Sequence, residues 1–190
     1  MKKVILASAS PWRKSILATT GIPFTVEVSG HEEDMTLKLP PRALARCLAL
    51  EKALAVAQKH DDAVVIGADT FAVFQGKLLG KPHTAPRARA MLKALSGKSH
   101  TLMTGFAIVD SATGKHITKT AGTRVTFRKL SAAEIGAYVE TGEPLKVAGA
   151  YAIQGQGAKL IKKIVGDSNN IAGFPLQAVL KELAKFGVKV

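Results

Sequence analysis

The chain has 190 residues, 47% of them hydrophobic, and a formal net charge of +13 at pH 7. That length suits one domain or two small lobes with a well-buried core, and no apolar run reaches the roughly 18 residues needed to span a membrane. The single cysteine, Cys47, excludes a disulfide framework and a cysteine-based metal site and reads as core packing. The charge asks for a polyanionic partner, and nucleic acid, nucleotides and acidic membranes all qualify. One tryptophan and two tyrosines supply a base-stacking surface poorly, and the local basic clusters, such as Lys159, Lys162 and Lys163, are short.

Taken in chain order, the pattern alternates strands and helices without repeats or a linker. "MKKVILASAS" carries two lysines and a short apolar run, but only about five apolar residues precede the serines, against roughly 7 to 15 in a secretion signal. It reads as a first strand, 3–7, of a cytoplasmic protein. A helix follows from Pro11 to Thr19 and stops at Gly21, then a short strand, 24–28, leads into the acidic loop "GHEEDM". Pro40 and Pro41 open a long helix to about Lys59. "AVVIGADTFAVF" has the pattern of a buried strand with an acid in its middle, and "QGK" that of a hairpin turn. Thr84 and Pro86 start a helix that ends at Gly97. Strands 99–109 and 116–128 flank "SATGK", and Ser131 with Glu134 forms a capping box for a helix ending near Gly142. "AGAYAIQGQGAKLIKKIVGD" predicts two strand segments separated by a turn, and a last helix runs from Pro175 to Gly187. Strands joined by so short a turn as "SATGK" pair antiparallel, so the expected fold is α/β with a mixed sheet.

Three features bear on chemistry. Ser10 before Pro11 matches a helix N-cap followed by proline at the first helical position. The free N–H groups and positive dipole end there, with Ser8, Ser10 and Arg13 adding donors, could equally serve as a phosphate seat. Neither a Walker loop nor a Rossmann glycine pattern is present. Asp69 is flanked by apolar residues, so its carboxylate needs either a structural partner or a metal. Lys52 falls on the apolar side of the 42–59 helix, among Ala45, Leu48, Ala55 and Val56, where a lysine either snorkels or reaches a cleft as a phosphate ligand. The five histidines show no paired helical spacing, and none is assigned to a metal.

The blocks "LASASPWRK", "EE" followed by "LALEKA", "GADT", "LLGKP", "MLKALSGKSHTLMTG", "AGAYAIQGQGA" and "GFPL" run from Val4 to Leu176. In that order they resemble the Maf family of nucleoside triphosphate pyrophosphatases. The resemblance implies a cytoplasmic, homodimeric, metal-dependent hydrolase that converts a nucleoside triphosphate to the monophosphate and pyrophosphate. It also implies an inosine-triphosphatase-like fold, with a mixed twisted sheet and flanking helices around a deep cleft. Roles implied are nucleotide-pool housekeeping and arrest of septum formation. By position, Asp69 becomes the proton acceptor or metal-organising acid. Glu33 becomes the metal-side carboxylate, with Glu32 standing where an Asp is usual. Arg13, Lys52 and Lys81 become triphosphate ligands beside Ser8 and Ser10. Oxygen ligands and phosphates then suit Mg2+ or Mn2+.

The resemblance divides on the base. Family branches that prefer dTTP and UTP usually carry Arg, Thr and Gln at three positions, and those that prefer 7-methyl-GTP carry Trp, Gln and Glu. Here the positions hold Trp12, Thr70 and Gln154, a mixed set. Trp12 offers a π face worth about 1–2 kcal/mol to a cationic 7-methylguanine. Gln154 offers a donor and an acceptor that match the O4 and N3–H edge of thymine or uracil. Hydrogen-bond matching discriminates more sharply than stacking, so dTTP and UTP are the expected substrates, with 7-methyl-GTP the alternative. A basic nucleic-acid-binding protein, or a division regulator acting by contact, would explain the charge but gives Asp69, Lys52 and the serine-proline turn no joint purpose.

Overall fold

The computed structural model describes residues 2–30 and 37–190. Its elements are β1 (Lys3–Ala7), α1 (Pro11–Ala18), β2 (Phe24–Val26), α2 (Pro41–Ala57), β3 (Ala63–Phe74) and β4 (Lys77–Leu79), then α3 (Ala85–Leu95), β5 (Ser99–Asp110), β6 (His116–Phe127), α4 (Ala132–Glu140), β7 (Ile161–Val165) and α5 (Leu176–Leu183). The seven strands form one sheet in the order β2-β1-β3-β5-β6-β7, with β4 paired to β3. β1 pairs parallel with β2 and with β3, whereas β3/β4 and β6/β7 are antiparallel, so the sheet is mixed as expected. The β3–β4 turn takes positive φ at both Gln75 (50°) and Gly76 (77°), the backbone a two-residue hairpin requires.

Two compact units are built from interleaved stretches. The first comprises residues up to Thr70, Thr104–Ala121 and Gly173–Val190, and the second Phe71–Met103 and Gly122–Ala172. Within the first unit, alternation along β3 divides the core. Val64, Ile66 and Ala68 pack with Leu6, Leu17, Phe174 and Val179, and Ala63 and Val65 pack with Ala49, Ala53 and Val56 of α2. Helix and sheet approach closely through two glycines: a Cβ at Gly67 would lie 2.2 Å from the Ala49 carbonyl oxygen, and one at Gly105 2.0 Å from that of Ala45. Cys47 is half-buried on α2 with its Sγ 3.4 Å from Glu51 Oε1, so it is not the core residue expected.

The second unit packs α3 and α4 residues Ala88, Leu92, Leu95, Ile135, Tyr138 and Val139 against Ala72, Val125, Phe127 and Tyr151. The capping box of α4 is present, with the Glu134 N–H donating to Ser131 Oγ at 3.2 Å and the Ser131 N–H to Glu134 Oε2 at 2.8 Å. His100 is buried between Phe127 and Tyr151, its Nε2 2.9 Å from the Tyr151 hydroxyl and its Nδ1 without a hydrogen-bond partner among the described residues. Burial pulls its pKa down from 6.5 to about 4. The depressed value means that His100 is neutral in the folded state where the unfolded chain already binds a proton. Stability is therefore fully present above about pH 6.5 and lost as the pH falls through about 4. Chemical denaturation across that window should show this acid loss, and His100→Phe should flatten it. An unchanged slope in the variant would assign the loss to other groups.

Two further expectations fail. β2 ends at Val26 rather than Val28, and the first half of the glycine-rich passage is not a strand. Residues 148–150 and 156–160 form short 3-10 turns, and only 161–165 is extended. Gly149 (φ 74°) and Ala150 (φ 59°) lie in the left-handed region, which breaks a strand, and the passage is tied instead to side chains of α4 and the turn after it.

Candidate active site

Strand β1 brings a buried apolar run to its end at Ala7, and the β1–β3 ladder stops at the pair Ala7↔Gly67. Residues 68–70 of β3 therefore run on past the end of β1, beside the turn that Ser8 begins. Ser10 is the N-cap of α1, accepting from the Arg13 N–H at 3.4 Å, with Pro11 at the first turn. Ser8 is buried, and its Oγ accepts from the Ser10 N–H at 3.2 Å. The cap expected from the sequence is present, and the start of α1 adjoins the end of a parallel strand, the arrangement that suits anion binding.

Arg13 binds this turn to two distant segments. Its Nε donates to the Gly173 carbonyl at 2.9 Å, Nη1 to the Ala68 carbonyl at 2.8 Å and to Ser8 Oγ at 3.2 Å, and Nη2 to Thr70 Oγ1 at 3.2 Å. Thr70 Oγ1 also lies 2.9 Å from Thr104 Oγ1. One guanidinium thus joins "SASPWR", "GADT" and "GFPL", three blocks that the sequence keeps far apart. The bond to Ala68 takes the place of the ladder partner that β1 no longer supplies. Gly173 has φ 86°, and a Cβ there would come within 3.0 Å of Thr70 Oγ1, so the close approach needs glycine. Gly173 and Thr104 stand in the blocks "GFPL" and "MLKALSGKSHTLMTG" but have no site role in the sequence reading, because their part depends on Arg13 and Thr70 reaching them through space.

Asp69 follows Ala68 and, by strand alternation, faces the opposite side of β3 from Thr70. Asp69 is 6% exposed, and its carboxylate meets Lys52 Nζ at 2.5 Å. The Gly67–Ala49 contact explains the meeting: Lys52 lies one turn beyond Ala49 on α2, and Asp69 two residues beyond Gly67 on β3. The sequence left a structural partner or a metal open for Asp69, and it expected Lys52 to face polyanion and not a protein carboxylate. Lys52 does face a carboxylate, because a buried acid and a buried base on adjoining elements satisfy each other's desolvation cost.

Trp12 is 49% exposed on α1. Lys81 and Gln154 are exposed and belong to the second unit; Lys81 follows Gly80, whose carbonyl accepts from the Gly149 N–H at 3.2 Å. Gln154 sits in a turn that the Gly155 N–H closes on the Ala152 carbonyl at 3.2 Å. Glu33, with His31 and Glu32, lies outside the described residues. Among the described residues no group of three or more His, Cys, Asp and Glu is gathered as a metal cage.

A family model described as "Maf-like protein" matches residues 3–186. A protein of Moorella thermoacetica named dTTP/UTP pyrophosphatase is 50% identical over 190 residues, covering 100% of this chain and 98% of the relative. A Bacillus cereus protein of the same name is 43% identical over 190 residues, covering 100% of this chain and 93% of the relative. Segments as distant as the Ser8–Arg13 turn, the Asp69–Thr70 strand and Gly173 are thus joined in a chain that matches one family from end to end, and it belongs to the Maf-like proteins.

Proposed function

We propose that this chain is a nucleoside triphosphate pyrophosphatase that hydrolyses dTTP and UTP to the monophosphate and pyrophosphate in nucleotide-pool housekeeping. The observation that carries the reading is the buried Asp69–Lys52 pair on the strand that Arg13 ties to the Ser8–Ser10 turn, in a chain related end to end to proteins named for that activity. The whole chain works as one catalytic domain, in the cytoplasm, as a homodimer, and without nucleic acid. Among the described residues no helix is long and apolar enough to cross a membrane.

In this mechanism the start of α1 and the hydroxyls of Ser8 and Ser10 hold phosphate oxygens through their N–H and O–H donors. Arg13 contributes positive charge and keeps that turn in register with β3. Water attacks a phosphorus of the triphosphate, the bond to the pyrophosphate oxygen breaks, and Asp69 takes up or directs the proton of the attacking water. Lys52 holds the Asp69 carboxylate in place, and with Lys81 it balances charge that develops on the leaving pyrophosphate. A divalent ion, Mg2+ or Mn2+, supplies Lewis-acid polarisation when it binds with the substrate. Asp69 and Glu33 would be the carboxylates that hold it. The donor chemistry fits, since such ions are commonly held by one or two carboxylates and the substrate's own phosphates. Trp12 stacks on the base, Thr70 supports that end of the site, and Gln154 reads the pyrimidine edge.

A pyrophosphate-release assay over dTTP, UTP, CTP, ATP, GTP and 7-methyl-GTP tests the reading. Turnover should require a divalent ion, vanish with chelator, and give the highest kcat/KM for dTTP and UTP. Trp12→Arg should leave pyrimidine turnover within about threefold, and Gln154→Glu should shift preference towards guanine bases. If 7-methyl-GTP leads in the wild type, Trp12 outweighs Gln154. No turnover on any triphosphate, together with tight salt-dependent binding to nucleic acid, would replace the enzyme with the binding protein.

A further inference from the structure

Gln154 sits in a turn between two short 3-10 turns, 148–150 and 156–160, yet a base-reading amide must be held to within a fraction of an ångström to discriminate. The holding groups are two buried or half-buried side chains that no catalytic role uses. The Glu143 carboxylate accepts from the Gln156 N–H at 3.0 Å through Oε2 and from the Gly157 N–H at 3.1 Å through Oε1. The Tyr138 hydroxyl donates to Glu143 Oε1 at 2.8 Å and accepts from the Ala152 N–H at 3.1 Å. Together they grip the chain on both sides of the 152–155 turn. The glycines of "QGQG" fit the same device: a Cβ at Gly155 would stand 2.4 Å from Glu143 Oε2, and one at Gly157 2.7 Å from the Tyr138 hydroxyl. Burial alone would raise the Glu143 pKa, but the bonds from Gln156, Tyr138 and Gly157 outweigh it and hold the carboxyl below its ordinary value, so both oxygens accept at neutral pH.

We propose that Glu143 and Tyr138 are positioning residues for base specificity, a carboxylate–phenol clamp that orients the Gln154 amide towards the pyrimidine edge. The proposal rests on Gln154 being the residue that reads the base. Neither clamp residue touches substrate; each acts through the backbone of residues 152–157. Glutamine at position 143 turns one accepting oxygen into a donating amide, which then faces an N–H group and cannot satisfy it.

The test compares kcat and KM for dTTP and 7-methyl-GTP in the wild type, Glu143→Gln, Tyr138→Phe and Gln154→Ala. Glu143→Gln should raise the KM for dTTP roughly tenfold, with kcat within about threefold, and lower the dTTP to 7-methyl-GTP ratio of kcat/KM by on the order of tenfold. Tyr138→Phe retains both backbone bonds of Glu143 and should give a smaller shift in the same direction. Glu143→Asp, which retains the charge, should recover part of the ratio. A merely structural role would depress both substrates alike and leave the ratio unmoved, and that result in the Glu143 and Tyr138 variants would overturn the clamp. If Gln154→Ala changes the ratio while the clamp variants do not, positioning alone fails. If Gln154→Ala leaves the ratio unchanged, the base-reading role falls and the clamp proposal falls with it. Should Glu143→Gln fold poorly, Tyr138→Phe decides by the same ratio.

Discussion

Asp69→Asn should fold and lose a hundredfold or more in kcat for dTTP, a loss of about 2.7 kcal/mol in transition-state stabilisation. The substitution keeps the shape of the side chain and an oxygen that can still accept from Lys52 across the 2.5 Å contact. It removes the negative charge needed to take up a proton and to favour a divalent ion at that place. Asp69 is buried on a strand whose flanking residues, Ala68 and Thr70, are both held by Arg13. The check is steady-state pyrophosphate release alongside thermal unfolding. A near-normal kcat in a variant that unfolds cooperatively would remove Asp69 from the chemistry.

Lys52→Met should be the more destabilising change. The side chains of Lys52 and Asp69 are 12% and 8% exposed, so methionine leaves a carboxylate buried without its cation. Breaking such a pair from one side costs about 3 kcal/mol, on the order of 10 °C in Tm for a chain of this size. Much of that loss is the stranded charge rather than a missing contact. The double variant Lys52→Met, Asp69→Asn should therefore be more stable than Lys52→Met alone, with a coupling on the order of 2 kcal/mol. Denaturant unfolding of the four proteins measures it. Strictly additive single effects would mean that the two groups are not energetically joined. Lys52→Met should also lose activity even where it remains folded, because Asp69 then loses the group that orients it.

Local signals in the chain match the structure where neighbouring residues decide the outcome. The unbroken apolar run of 63–74 became β3, Ser131 and Glu134 capped α4 as their spacing required, and Ser10 with Pro11 began α1. The passage from Gly149 to Gly157 departs from its pattern: its apolar residues suggest strands, whereas its backbone is shaped by Glu143 and Tyr138 from outside the passage. Candidate chemistry was legible in Asp69 and Lys52, since an acid in a buried strand and a lysine on an apolar helix face each demand an explanation from the sequence itself.

The alternation of strands and helices, the mixed sheet, the caps, the family and the residue types available for phosphate chemistry are all written in the chain, because each depends on periodicity, short spacing or an ordered set of motifs. Which of those residues meet depends on the folded chain. That Lys52 satisfies Asp69 follows from the Gly67–Ala49 approach of helix to strand, and that Arg13 holds Thr70 and Gly173 follows from chain segments about 160 positions apart closing on one guanidinium. Such partners are chosen by burial: a charge taken from water must find its counter-charge or acceptor in whatever segment the fold brings within about 3 Å, and no local pattern encodes which segment that will be.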